Sequence, residues 1–149
     1  MSPDFNIDED LALANRLADA AWSAIRPHFR ALSSVENKAG AGQSYDPVTE
    51  ADRAAEKAMR DIILRERPQH GITGEEFGDS PSSSGWRWVL DPVDGTRAFV
   101  AGLPVWTTLI ALVDPLGFPV LGVIDQPVLG ERYIGWPGGA AGGADLGWL

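Results

Sequence analysis

The six residues Asp91-Pro92-Val93-Asp94-Gly95-Thr96 concentrate the most reactive chemistry in the chain. An apolar run, Trp86 to Leu90, leads into them and delivers two carboxylates three residues apart into a sharp turn. Pro92 stiffens the first half of that turn, and Gly95 lets the backbone come close to a ligand. Hard cations such as magnesium take carboxylate oxygens and keep several waters. Paired carboxylates can also bridge two ions, which together clamp the attacking and leaving oxygens of a phosphoryl transfer. A short helix starting near Thr96 would turn its free amides to the same pocket, where they suit a phosphate. The plainer reading is that Asp91 and Asp94 are turn residues, a common place for Asp.

Two further segments carry acids. Gly74-Glu75-Glu76 follows a short apolar stretch, and Asp46-Pro47-Val48-Thr49-Glu50-Ala51-Asp52 precedes a helical pattern. Taken singly, the glutamates read as solvated surface charge. Asp46 and Thr49 read as helix caps, with acids in the first turn where the helix dipole favours them.

These segments need elements to position them. Apolar residues at Ile7, Leu11, Ala14, Ala18, Ala21, Ile25 and Phe29 recur at helical spacing, which predicts a helix over 8–32 capped by Asp8 and kinked near Pro27. Residues 33–46 are polar and rich in small side chains, and read as a mobile loop. A second helix is expected from Thr49 to Arg67, stopped by Pro68, with Glu56 and Arg60 as a weak four-apart pair. Gly71 to Gly74 suggests a short strand, and 78–85 a surface loop rich in Ser, Pro and Gly. Strands are expected at 86–90, 105–113, 118–124 and 132–135, with a turn at Asp114-Pro115-Leu116-Gly117 making a hairpin of the middle two. The fold class this predicts is α+β, two helices packed on one side of a mainly antiparallel sheet. One metal- and phosphate-binding domain would cover 1–136. Residues 137–149, rich in Gly and Ala and without usable periodicity, read as a disordered tail.

The 149 residues fit one domain, and the formal net charge of −9 argues against nucleic acid or an anionic membrane as partner. An acidic chain can still take a phosphate if its carboxylates hold cations that supply the positive charge. Without cysteine there is no disulfide, thiolate ligand or thiol nucleophile. The acidic N-terminus lacks a signal-peptide pattern and no apolar run reaches membrane length, so a cytoplasmic protein is expected.

Together the three acidic segments, in this order and spacing, resemble the inositol monophosphatase family of metal-dependent phosphatases. The resemblance rests on Asp46-x-Val48-Thr49-x-x-Asp52, Gly74-Glu75-Glu76 and Asp91-Pro92-Val93-Asp94-Gly95-Thr96 after a Trp-containing strand, and it covers about residues 8–136. It implies Mg2+ as cofactor and a small phosphorylated metabolite as substrate. Glu75, Asp91 and the Val93 carbonyl would ligate a first magnesium, and Asp91 and Asp94 a second. Asp52 and Thr96 would orient and deprotonate the attacking water, the amides of Gly95 and Thr96 would hold the phosphate, and Lys38 would sit near a third metal site. The implied reaction is direct hydrolysis by a metal-activated water, without a covalent phosphoenzyme, and a homodimer is a possible assembly. Gly74 to Gly78, Thr96 to Phe99, Gly102 to Ala111 and Ile25 to Arg30 look like the bacterial histidinol-phosphatase branch, a step of histidine biosynthesis. Inositol monophosphate stays open as substrate. The family's second half, with another metal-binding Asp in a Trp-Asp-x-Ala motif, has no counterpart here, since Trp148 is followed by Leu149. The expectation is a truncated or frameshifted member.

His28 and His70 lack an acid at a telling spacing and read as structural or exposed. Trp86, Trp88 and Trp106 read as core rather than as a stacking surface. Arg97 could touch an anion or point to solvent. Three functional readings therefore stand: a phosphatase, a catalytically silent metal- or phosphate-binding half-domain, and an acidic interaction domain.

Overall fold

The computed structural model describes residues 4–31 and 47–144. Helix α1, Ile7–Ile25, starts one residue earlier than expected because Asn6 caps it. The Asn6 side chain accepts from the amides of Asp8 and Glu9 at 3.1 and 3.2 Å, so Asp8 is a first-turn acid and not the cap. Pro27 does more than kink the helix: α1 gives way to a 3-10 turn over Arg26–His28. Helix α2, Pro47–Glu66, begins with a proline, which costs no hydrogen bond at that position. The expected loop at 33–46, with Lys38 and Asp46, lies outside the described residues.

The remaining elements are β1 (Gly71–Gly74), β2 (Gly78–Ser80), β3 (Arg87–Asp94), α3 (Thr96–Val100), β4 (Thr107–Val113), β5 (Pro119–Gln126), β6 (Glu131–Trp136) and β7 (Gly139–Ala144). They form one seven-stranded sheet in the order β2-β1-β3-β4-β5-β6-β7. Among the described residues only β1 and β3 pair in parallel; the other neighbours are antiparallel. The α+β class holds, with helices on a mixed, mostly antiparallel sheet.

Alternation along the strands decides which sheet face meets the helices. Trp88, Leu90, Ile110, Leu112, Leu121, Val123 and Ile134 are buried with Leu13 and Leu17 of α1 and Met59 and Ile63 of α2. Small residues, Ala14, Ala18 and Ala21 on α1 and Ala51 and Ala55 on α2, are fully buried and let the helices approach closely. The other sheet face carries Ile124 and Tyr133, 49% and 46% exposed. Two buried polar networks tie the layers together. His70 Nδ1 accepts from Trp88 Nε1 at 3.1 Å, which leaves Nε2 to donate to the Asp4 carbonyl at 3.0 Å. Burial, foremost, lowers the His70 pKa, which fits its structural role. At the far side Arg132 crosses from β6 to its register partner Asp125 on β5 at 2.8 Å, and on to Asp19 of α1 at 2.8 Å and Asn15 Oδ1 at 3.0 Å.

Two further expectations need correction. Residues 78–80 of the anticipated loop form β2, because the chain reverses tightly after β1 and pairs Ile72 with Ser80. The anticipated disordered tail is ordered over Gly139–Ala144, which pairs with β6 as β7. A ladder needs only backbone groups, and here glycine is useful: Cβ atoms at Gly139 and Gly142 would collide with the Trp136 and Tyr133 rings.

Candidate metal centre

β1 and β3 run in parallel with Gly74 opposite Leu90, so Glu75 and Asp91 emerge side by side from the ends of neighbouring strands. β3 then departs from a regular strand. Asp91 pairs with Leu109 and Asp94 with Thr107, three steps along β3 against two along β4, which is a bulge. The Thr108 hydroxyl fastens it by donating to the Pro92 carbonyl at 2.7 Å in a buried position. Asp91 to Asp94 therefore belong to an irregular strand end and not to a free turn. Gly95 follows with φ 97°, and a Cβ there would press on Trp106 at 3.2 Å, so glycine is required on both counts. Thr96 opens α3, a short helix anchored by Phe99, whose ring packs against Phe29 and Trp106. The first amides of α3 have no partner within the helix.

From the other side α2 contributes Asp52, 5% exposed. Burial, then the charges of Glu76, Asp91 and Glu75, push its carboxyl up to about 7, against the opposing pull of the Val93 amide. Burial likewise pushes Asp91 up to about 6, helped by Glu75 and Asp94 and again opposed by the Val93 amide. Acids from three separate segments thus sit close enough to repel one another. Asp52 Oδ1 and Asp91 Oδ1 are buried and have no hydrogen-bond partner. Thr96 is exposed and does not satisfy the Asp52 oxygen.

Orphaned buried carboxylate oxygens, in a cluster of like charge, are what a divalent cation would satisfy. Among the described residues no group of three His, Cys, Asp or Glu side chains is placed to hold a metal ion. An open, partly hydrated site is the arrangement magnesium accepts, since it is held by one or two carboxylates and keeps waters. The donor set, all hard oxygen, fits that ion.

Sequence reasoning passed over Glu56, which is fully buried. Its carboxylate accepts from the amides of Glu76 and Phe77 at 3.1 and 2.8 Å, directly beneath the acidic turn. The available signal was its place four residues after Asp52, on the same helix face. The need for glycine at position 74 was missed for the same reason: a Cβ there would collide with the Glu56 carboxylate.

The scaffold is α+β, with carboxylates gathered where strands give way to a bulge and a short helix. The chain belongs to the inositol monophosphatase family, whose family model matches residues 6–145. It is 44% identical to the histidinol-phosphatase of Mycobacterium tuberculosis over 126 residues, which is 84% of this chain and 46% of that protein. It is 46% identical to the chloroplastic bifunctional phosphatase IMPL2 of Arabidopsis thaliana over 137 residues, covering 91% of this chain and 38% of the relative. The inositol monophosphatase from Zymomonas mobilis superposes with a TM-score of 0.78 at 42% identity, covering 97% of this chain and 53% of that one. The chain thus spans about half the length of the proteins it matches. Among the described residues no helix is long and apolar enough to cross a membrane.

Proposed function

We propose that this chain carries the metal- and phosphate-binding half of a magnesium-dependent phosphatase acting on a small phosphate monoester, with histidinol phosphate as the substrate. The observation that carries this reading is the pair of buried, unpartnered oxygens of Asp52 and Asp91 inside the acidic cluster. Glu75, Asp91, Asp94 and the Val93 carbonyl are the residues to hold the cations. When bound, magnesium neutralises the cluster and acidifies water. Gly95 and Thr96 present amides to the phosphate and orient it toward Asp52. Asp52, once ionised, takes a proton from the attacking water at Oδ1. The water oxygen bonds to phosphorus, the bond from phosphorus to the alcohol oxygen breaks, solvent water protonates the departing alcohol oxygen, and Asp52 returns its proton to solvent. The substrate choice leans on the histidinol-phosphatase relatives. Inositol monophosphate is the alternative, because inositol-1-monophosphatases are also among the relatives at 33% and 38% identity. The second reading is a domain that binds metal without turnover, which the same unpartnered carboxylate oxygens would equally serve.

Thermal melts with and without Mg2+, together with phosphate release from the two substrates, test this. Magnesium is expected to raise the midpoint, by about 2.7 kcal/mol of stabilisation at a hundredfold excess over Kd. Asp91→Asn is expected to abolish that response and any turnover. A wild-type melt indifferent to Mg2+ would sink the proposal. A response without phosphate release would leave the silent half-domain.

A further inference from the structure

We infer that Glu56 and Arg60 of α2 form a clamp that sets the position of the Glu75-Glu76 turn, and so make Glu56 a positioning residue for metal binding. The inference rests on the metal-site reading above.

Glu56 is fully buried, yet its carboxylate is not used to cap a helix or join strands. It accepts the amides of Glu76 and Phe77, the two residues that follow the candidate ligand Glu75. A buried carboxylate needs compensation, and Arg60 supplies it through Nε at 3.1 Å. The other arms of that guanidinium reach past Glu56 to β2. One nitrogen donates to Ser80 Oγ at 2.9 Å and another to the Gly78 carbonyl. The Arg60 guanidinium also lies 6.0 Å from the centroid of the Phe77 ring. Both ends of the reversal, 76–77 and 78–80, are therefore tied to one buried ion pair. Gly74 completes the fit, since its missing side chain is the space that the Glu56 carboxylate occupies. Without this clamp, Glu75 stands on an exposed turn with no buried anchor, next to acids that repel it. Groups that orient ligands from behind change metal affinity about 10–100-fold when removed.

The test uses the full chain, Mg2+ titration by calorimetry, and hydrogen–deuterium exchange of the metal-free protein. Glu56→Gln is expected to weaken Mg2+ binding about tenfold. It should speed exchange at the Glu76 and Phe77 amides while the α1 and α2 amides keep their protection. Gly74→Ala displaces the same carboxylate without removing it, and should give the same pattern if Glu56→Gln does not fold. A folded Glu56→Gln or Gly74→Ala protein with wild-type affinity and wild-type exchange at 76–77 overturns the clamp and leaves the metal-site reading intact. A wild-type chain that takes up no Mg2+ removes the metal-site reading, and the positioning role with it.

Discussion

Replacing Asp52 by Asn is expected to raise the melting midpoint of the metal-free chain at pH 7.5 by roughly 5–15 °C, from about 2–4 kcal/mol of added stability. The folded-state pKa is raised, from the ordinary 3.8 to about 7, chiefly by burial and then by Glu76, Asp91 and Glu75. A carboxyl raised in this way costs nothing below its unfolded pKa. The cost grows as pH rises and is complete above the folded pKa, so the wild type loses stability between about pH 4 and pH 7. Asn keeps the shape and removes the charge, so the difference between variant and wild type should open over that window and nearly close below pH 4. Melts in a chelator across this range provide the check, and parallel curves for the two proteins would contradict the buried-charge account. The variant should also respond less to Mg2+, a case of stability gained where function needs strain.

Arg132→Met is expected to destabilise the chain by about 3–5 kcal/mol, or roughly 10–15 °C. Arg132 and Asp125 are 5% and 3% exposed, and Asp125 Oδ2 already lacks a partner. Burial lifts the Asp125 pKa, and Arg132 is what pulls it back. Removing the guanidinium leaves a carboxylate between sheet and helix, and also frees Asn15 and Asp19 of α1 from the sheet. The penalty should shrink as the medium is acidified, because Asp125, with its pKa raised further, escapes its charge by protonation. The double change Arg132→Met with Asp125→Leu should lose less than the single one, since no buried charge remains. Denaturant titration of the set measures this. A single variant as stable as wild type would show that the pair is not holding sheet and helix together.

Asp91 and Asp94 could be nominated from residue type and spacing because hard-cation chemistry is written in carboxylates, whereas Asp52, Glu75 and Thr96 are singled out as site residues only by the family resemblance. The helices were legible in their apolar period, and β3 to β6 in their β-branched and aromatic runs. What stayed hidden depends on tertiary surroundings. Glu56 and Arg60 four apart look like a solvated surface pair, and only packing of α2 on the sheet makes them buried. β7 has no amphipathic alternation, since its stability lies in backbone pairing and in rings resting on glycine. The bulge at Asp91–Asp94 reads as a turn because Pro and Gly punctuate both. Asn6 and Asp8 are both good caps by type, and it is Asn6 whose side chain takes the amides of Asp8 and Glu9.

Asp52, Glu56 and Arg60 follow one another at four-residue intervals along one stripe of α2, spanning about 12 Å of its length. A helix of that kind moves as a rod. Any displacement of α2 against the sheet would carry the Asp52 carboxyl and the grip on the 75–77 reversal by nearly the same vector, so their separation is insensitive to it. The distance from α2 to β3 has no such protection. The separation of Asp52 from Asp91 is set instead by how α2 seats against β3, across a seam where burial and like charge push both carboxyls up.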